Sequence, residues 1–375
     1  MIERFSHMRV GVPKEVKNHE YRVALTPAGV RELHAHGHDV VVETNAGIGS
    51  SIGDEDYVRA GARIAKHADD LWGDAELVLK VKEPVAQEYG LLRDGQTLFT
   101  YLHLAASAEC TQALVDSKVN AIGYEMVRSA DGRLPLLAPM SEVAGCLAPQ
   151  IAANALTKVN GGRGMLMGGV TGVYGAKVVI IGAGVSGMRA ARIAAGMQAK
   201  VILLDRNIEA LHAADAYFRG AVQTISSSAH AIEEAIADAD VVIGAVLVPG
   251  ARAPRVITNE MVAGMQPGSV LIDLSVDQGG CFEDTRPTSH ADPTYTVHGS
   301  IFYAVANVPG AVPVTSTAAL TNATLPYALA LADRGFAGAC AADPALAAGV
   351  NTAAGALVSE AVAQAHDMPW TPFGD

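Results

Sequence analysis

Residues Val178 to Asp205 read VVIIGAGVSGMRAARIAAGMQAKVILLD. An apolar β-rich run ends at Gly182, and Gly182, Gly184 and Gly187 follow in G-x-G-x-x-G spacing. A helical pattern then runs to Met197, and a second apolar run ends on Asp205. Strand, glycine turn, helix and strand in that order are the fingerprint of a dinucleotide-binding βαβ unit. Gly182 permits the tight turn, Gly184 leaves room for a pyrophosphate to approach backbone, and Gly187 lets the helix pack on the strand. The N-terminus of that helix offers free N–H groups and a positive dipole end to phosphate. The glycine spacing alone is weak evidence. The flanking strands and an acid eighteen residues after Gly187 make this instance specific.

Asp205 also bears on which dinucleotide is bound. A carboxylate at the end of the second strand accepts hydrogen bonds from ribose hydroxyls and repels a 2′-phosphate, so the sequence points to NAD rather than NADP. Its neighbour Arg206 carries a guanidinium able to pair with such a phosphate.

The chain has 375 residues, half of them apolar, and a formal net charge of −12. That length predicts two domains. The acidic balance argues against nucleic acid or an anionic membrane, which call for a basic face, and leaves small molecules as the expected partners. Cys110, Cys146, Cys281 and Cys340 are scattered without a C-x-x-C pair. That pattern points away from a zinc site or disulfide framework and towards a reducing cytoplasm. The opening MIERFSH lacks the apolar core of a signal peptide, and no apolar run reaches the ~18 residues of a spanning helix.

Outside the fingerprint, strand-like runs alternate with helical ones. Before it they are Arg9 to Val12, Asp39 to Glu43, Leu77 to Val81, Thr97 to Leu102 and Ala121 to Glu125. The first helix spans Thr26 to His36, with Thr26 as N-cap and Pro27 at N1. After the fingerprint come Ala221 to Ile225, Val241 to Ala245, Val270 to Leu274 and Tyr295 to Val297, which complete a sheet of about six strands. From Pro313 the chain is Ala-rich and reads as helical without strands, Ala354 to His366 being the clearest amphipathic helix. A tail of that length is too short for a third domain and is expected to return to the first. The expected fold is therefore α/β, with two doubly wound domains. A Rossmann NAD-binding domain, residues 136–311, is inserted into a discontinuous substrate domain, residues 1–135 and 312–375.

Substrate in such an arrangement belongs in a cleft between domains, beside the C-terminal strand ends. That rule ranks the polar residues. His103 directly follows the run Thr97 to Leu102, where an imidazole suits general acid/base work; the other eleven histidines read as structural. Lys82, with Glu83, ends the run Leu77 to Val81, where an ammonium can polarise a carbonyl or bind a carboxylate. Lys80 would share its face on a regular strand. Arg22, in KEVKNHEYRVALTP between the first strand and helix, can hold a carboxylate in bidentate fashion. The plain alternatives are a structural histidine capping a helix for His103, an exposed surface lysine for Lys82 and a solvated loop charge for Arg22. Asp277, in DLSVDQGGCFE, follows the fifth strand of the inserted domain near the nicotinamide end, beside Gly279 and Gly280; an ordinary turn aspartate is the competing reading. The loop LVPGARAP, opening at Leu247, follows the fourth strand and is expected to border the cofactor.

MRVGVPKEVKNHEYRVALTPAGV, LVLKVKEP, FTYLHLA, APMSEVAG, GAVLVPGARAP, DQGGCFE and NVPGAVPVTSTAALTNATLPY occur in collinear order. Together they resemble, from Met8 to the C-terminus, the NAD-dependent L-alanine dehydrogenases. The chain is also similar to the NAD-binding subunit of proton-translocating transhydrogenase. The resemblance implies reversible oxidative deamination of L-alanine to pyruvate and ammonium with NAD, the transhydrogenase subunit being the alternative. It further implies a homo-oligomer, typically a hexamer. By that resemblance Arg22 and Lys82 hold the substrate carboxylate and carbonyl, and His103 and Asp277 are the catalytic pair. Ser141, Asp205 and Asn307 then contact NAD. Some members bind magnesium at the position of Glu125 together with a later histidine. Arg334 stands at that later position here and does not ligate Mg²⁺, so no metal is expected.

Overall fold

The computed structural model describes residues 7–246 and 253–374. The chain divides into two compact units that change over between Met140 and Ser141 and again between Ala311 and Val312.

The first unit is built on β1 (Arg9–Val12), β2 (Asp39–Glu43), β3 (Arg63–Ala65), β4 (Leu77–Leu79), β5 (Thr97–Thr100) and β6 (Asn120–Gly123). These pair in parallel in the order β6-β5-β4-β1-β2-β3. The second unit contains β7 (Lys177–Ile181), β8 (Lys200–Asp205), β9 (Val222–Ser226), β10 (Val241–Gly244), β11 (Val270–Asp273), β12 (Thr294–Val297) and β13 (Ser300–Tyr303). Its order is β12-β13-β11-β10-β7-β8-β9, parallel except for β12. Each sheet thus has the doubly wound order 3-2-1-4-5-6. The central strands are largely apolar because helices cover both faces: β10 and β11 are buried along their whole length.

Several elements differ from the sequence expectation, each for a local reason. β4 stops at Leu79 rather than Val81 because the N–H of Val81 donates to the Glu15 carboxylate at 2.6 Å. β5 stops at Thr100 rather than Leu102 because the Leu102 N–H donates to Glu125. The run Ala121 to Glu125 gives a strand only to Gly123, and Tyr124–Met126 is a 3₁₀ turn. The run Tyr295 to Val297 is the antiparallel edge β12, and the sixth parallel strand is β13. A two-residue turn at His298 and Gly299, with φ of 48° and 84°, joins them. Two successive positive φ values mark the hairpin turn that suits strand twist.

The tail is not free of strands. β14 (Val350–Ala353) pairs antiparallel with β6, and β15 (Ala356–Leu357) pairs with β14, so the C-terminal segment completes the first sheet. The expected helix from Ala354 begins only at Glu360, since Ala354 and Gly355, with φ of 49° and 87°, turn between the two strands. The helical run Pro313–Ala342 is broken at Gly335, where φ is 68°. Among the described residues, no helix is long and apolar enough to cross a membrane.

Candidate functional site

In a doubly wound sheet the ligand crevice forms at the C-terminal strand ends where the winding reverses. In the first unit that point lies between β1 and β4. The segment after β1 carries Arg22, the segment after β4 carries Lys82, and the segment after the neighbouring β5 carries His103.

Arg22 is buried and ion-paired. Its Nη2 and Nε donate to the two oxygens of Glu20 at 2.5 and 2.7 Å, its backbone N–H donates to the same carboxylate, and its Nη1 faces the Met140 sulfur at 3.1 Å. Burial opposes charge on both groups. The paired hydrogen bonds and opposite charges outweigh it, holding Glu20 below the usual carboxylate range and Arg22 above its ordinary value. The ammonium of Lys82, half-buried, also acts to lower Glu20. Arg22 and Lys82 therefore both address one carboxylate.

Lys80 goes elsewhere. Its side chain has no solvent exposure and donates to Glu15 at 3.2 Å and Glu88 at 2.8 Å. Glu15 in turn accepts the backbone N–H groups of Val81 at 2.6 Å and Lys82 at 3.4 Å. The buried ion cluster thus fixes the bend that presents Lys82.

His103 sits in the left-handed region with φ of 47°, an unusual state for a residue with a Cβ. Glu125 holds it there by accepting its backbone N–H at 2.7 Å. Its ring stacks on that of Tyr101, centroids 5.8 Å apart and nearly parallel. The Tyr101 hydroxyl donates to the Leu136 carbonyl at 2.6 Å, and burial raises its pKa well above the ordinary value. Arg22 and Glu125 both act on that hydroxyl, which joins the arginine and histidine surroundings.

The second unit carries the glycine cradle at its own reversal point, between β7 and β10. Gly182 has φ of 110°, and a Cβ there would lie 2.4 Å from the Ala245 carbonyl oxygen. A Cβ on Gly187 would lie 1.7 Å from the Gly182 carbonyl oxygen, so helix and strand admit no side chain. Among the described residues, a Cβ on Gly184 would meet nothing within 4 Å, and Gly184 caps the helix Val185–Gly196 without a side-chain cap bond. Open space in front of helix N–H groups fits a pyrophosphate. The Asp205 carboxylate receives the N–H of Ala183 at 2.6 Å and of Asn207 at 2.7 Å, joining the end of β8 to the cradle. Arg206 is exposed.

Asp277 is exposed in the 3₁₀ turn Val276–Gln278. The buried Asp273 shapes its loop, accepting the N–H groups of Ser275 and Cys281 at 2.9 Å each and the Thr285 hydroxyl at 2.5 Å. Asn307 precedes the turn Val308–Ala311, and its carbonyl oxygen lies 2.7 Å from His290 Nε2. The Ser141 carbonyl accepts the Ser186 hydroxyl at 2.9 Å, which ties Ser141 to the helix that follows the cradle. Leu247 lies outside the described residues.

The structure adds Glu15, Glu20, Glu88, Tyr101 and Asp273 to the residues singled out in the sequence, and shows how Glu125 acts. The acids at Glu15 and Glu20 were visible in KEVKNHEYR, but nothing in the spacing distinguishes a carboxylate folded inward from a solvated one.

Two family models cover the chain: alanine dehydrogenase/PNT, N-terminal domain, over residues 11–144, and alanine dehydrogenase/PNT, C-terminal domain, over residues 148–360. An alanine dehydrogenase of Mycolicibacterium smegmatis is 59% identical over 364 residues, covering 97% of this chain and 98% of the relative. A solved L-alanine dehydrogenase matches with a TM-score of 0.93 at 50% identity, over 96% of this chain and 99% of the other. A transhydrogenase structure from Sinorhizobium meliloti matches with a TM-score of 0.81 at 29% identity, over 93% of this chain and 100% of the other. The cradle of Gly182, Gly184 and Gly187 and the near full-length matches lead to one assignment: the chain belongs to the alanine dehydrogenase/PNT family and has a nicotinamide-nucleotide-binding domain.

Proposed function

We propose that this protein is an NAD-dependent L-alanine dehydrogenase. It converts L-alanine, water and NAD⁺ reversibly to pyruvate, ammonium, NADH and a proton, and works in the cytoplasm as a homo-oligomer, a hexamer by family resemblance. The observation that carries the reading is that the segments after β1 and β4 bring the cations Arg22 and Lys82 to the reversal of the first sheet, where both act on the one carboxylate of Glu20, the pair of donors that a carboxylate substrate calls for. The greater identity to alanine dehydrogenase than to transhydrogenase, 59% against 29%, supports it over the alternative.

Arg22 and Lys82 bind the substrate carboxylate, and Lys82 polarises the carbonyl of pyruvate in the reverse direction. Bound NAD would supply the hydride acceptor for alanine Cα. Gly182, Gly184, Gly187, Asp205, Ser141, Leu247 and Asn307 hold it, with the Asp205 carboxylate favouring an unphosphorylated ribose. His103 takes the proton released as water adds to the iminium carbon and returns one to the departing ammonia. Asp277 orients the water and stabilises the cationic imine.

The test is NADH oxidation with pyruvate and ammonium, repeated with each component omitted and with NADPH in place of NADH. Turnover that needs all three components is the expected result. Its absence across pH would overturn the reading, and equal rates with NADPH would overturn the role of Asp205.

A further inference from the structure

At the N-terminal edge of the first sheet, opposite the strand ends that carry Lys82 and His103, two imidazoles converge on one carboxylate. His36 caps the helix Pro27–Ala35 at its C-terminus, and Gly37, with φ of 89°, turns the chain so that His38 immediately precedes β2. His36 Nδ1 lies 3.0 and 3.1 Å from the two oxygens of Asp333, and His38 Nε2 lies 2.9 Å from Oδ1. Asp333 comes from the helical run Pro313–Ala342, two residues before its break at Gly335. All three ligand atoms lie within 4.8 Å of one another.

We propose that His36, His38 and Asp333 form a binding site for a divalent transition ion of the zinc class, which clips the C-terminal helical run to the corner before β2. Two imidazole nitrogens and a carboxylate oxygen are the donor set that such ions prefer over magnesium or calcium. Bond lengths near 2.0–2.2 Å place tetrahedral ligand atoms about 3.4 Å apart, so the two imidazole–carboxylate contacts open by roughly 0.4 Å to admit the ion, and the two imidazole nitrogens, within 4.8 Å of each other, settle to the same spacing. His38 and Asp333 are almost closed to solvent, with side-chain exposures of 0% and 11%. His36, at 34%, provides the way in. Three protein ligands leave a coordination position for water.

The site has a built-in limit on affinity. His38 Nδ1 is buried without a hydrogen-bond partner among the described residues. While Nε2–H donates to Asp333, Nδ1 is a bare lone pair; when an ion takes Nε2, the proton moves to Nδ1 and finds no acceptor. Loss of such support lowers metal affinity by about 10- to 100-fold, so the site binds more weakly than a fully supported structural zinc site.

The experiment is titration of the chelator-treated full-length protein with Co²⁺, read by visible ligand-field absorption and by bound metal per chain. The expected result is saturable uptake of one ion, lost in His36→Ala and in Asp333→Asn and displaced by Zn²⁺. If His36→Ala does not fold, His36→Gln, which keeps a bond to Asp333, takes its place. Absence of the absorption band in the parent protein, or equal uptake by the His36 variant, would overturn the proposal. Pyruvate amination is expected to continue at the parent rate in the His36 variant, which separates this site from the proposed catalytic groups.

Discussion

The Glu125 carboxylate accepts the backbone N–H of His103 at 2.7 Å and keeps that residue in the left-handed region. The bond acts on the backbone rather than the imidazole, so Glu125 sets where the ring is placed. Glu125→Ala is expected to lower kcat by about 10²-fold, as a misplacement of about 1 Å does, with little change in NADH affinity. Glu125→Gln, which keeps an accepting oxygen, should recover most of the rate. Steady-state kinetics beside a nucleotide titration separates the two effects.

His103→Ala is expected to lose about 10²- to 10⁴-fold in turnover, the usual cost of removing a proton carrier. It should still bind NADH, because the glycine cradle belongs to the other unit. Full activity in this variant would refute the acid/base role.

Two of the cradle glycines should fail differently. Gly187→Ala puts a methyl 1.7 Å from the Gly182 carbonyl oxygen and is expected to cost about 3 kcal/mol or more of stability. Gly184→Ala meets nothing within 4 Å among the described residues, so it should melt like the parent while binding NADH more weakly. Thermal denaturation with and without NADH reads both outcomes.

Glu20 has a folded-state pKa held down by Arg22 against the opposing effect of burial. A lowered value means that the pair stabilises the fold above the ordinary carboxylate range and loses that contribution as pH falls through the folded value. Glu20→Gln removes the charge that faces the buried Arg22 guanidinium and should cost up to about 3 kcal/mol at neutral pH. The difference from the parent should shrink on acidification, which urea denaturation at a series of pH values measures.

Burial pushes the Cys110 thiol up to about 12, aided by Glu83, and the Cys340 thiol up to about 11, aided by Asp343. It also raises Cys281, beside Asp273, well above its ordinary value. Thiols kept protonated and enclosed do not react readily. Native-state alkylation at neutral pH is expected to modify the half-buried Cys146 and spare the other three, as peptide mass mapping will show.

The doubly wound architecture was legible because parallel strands buried on both faces write themselves as unbroken apolar runs, as in β7 and β10. Strand ends were not, because a side chain distant in sequence decides them. Glu15 takes the N–H of Val81, and Glu125 takes that of Leu102. Lys80 and Lys82 illustrate the same limit. On a regular strand they would share a face, but two acids draw Lys80 into the core and the chain bends before Lys82. β14 was hidden for another reason: VNTA is short and half polar, and it is a strand only because β6 offers it an edge.

That pairing also governs the order in which the molecule can be finished on the ribosome. Every strand of the second unit has been synthesised once residue 303 is made, so that unit can close while the rest of the chain is still to come. The first unit begins earlier and ends later. Until Val350–Ala353 emerges, β6 stands as an open edge that any passing strand could cover. A chain that starts with one domain thus completes the other first, and premature termination before β14 would release a product with a finished nucleotide cradle and an unsealed, association-prone first sheet.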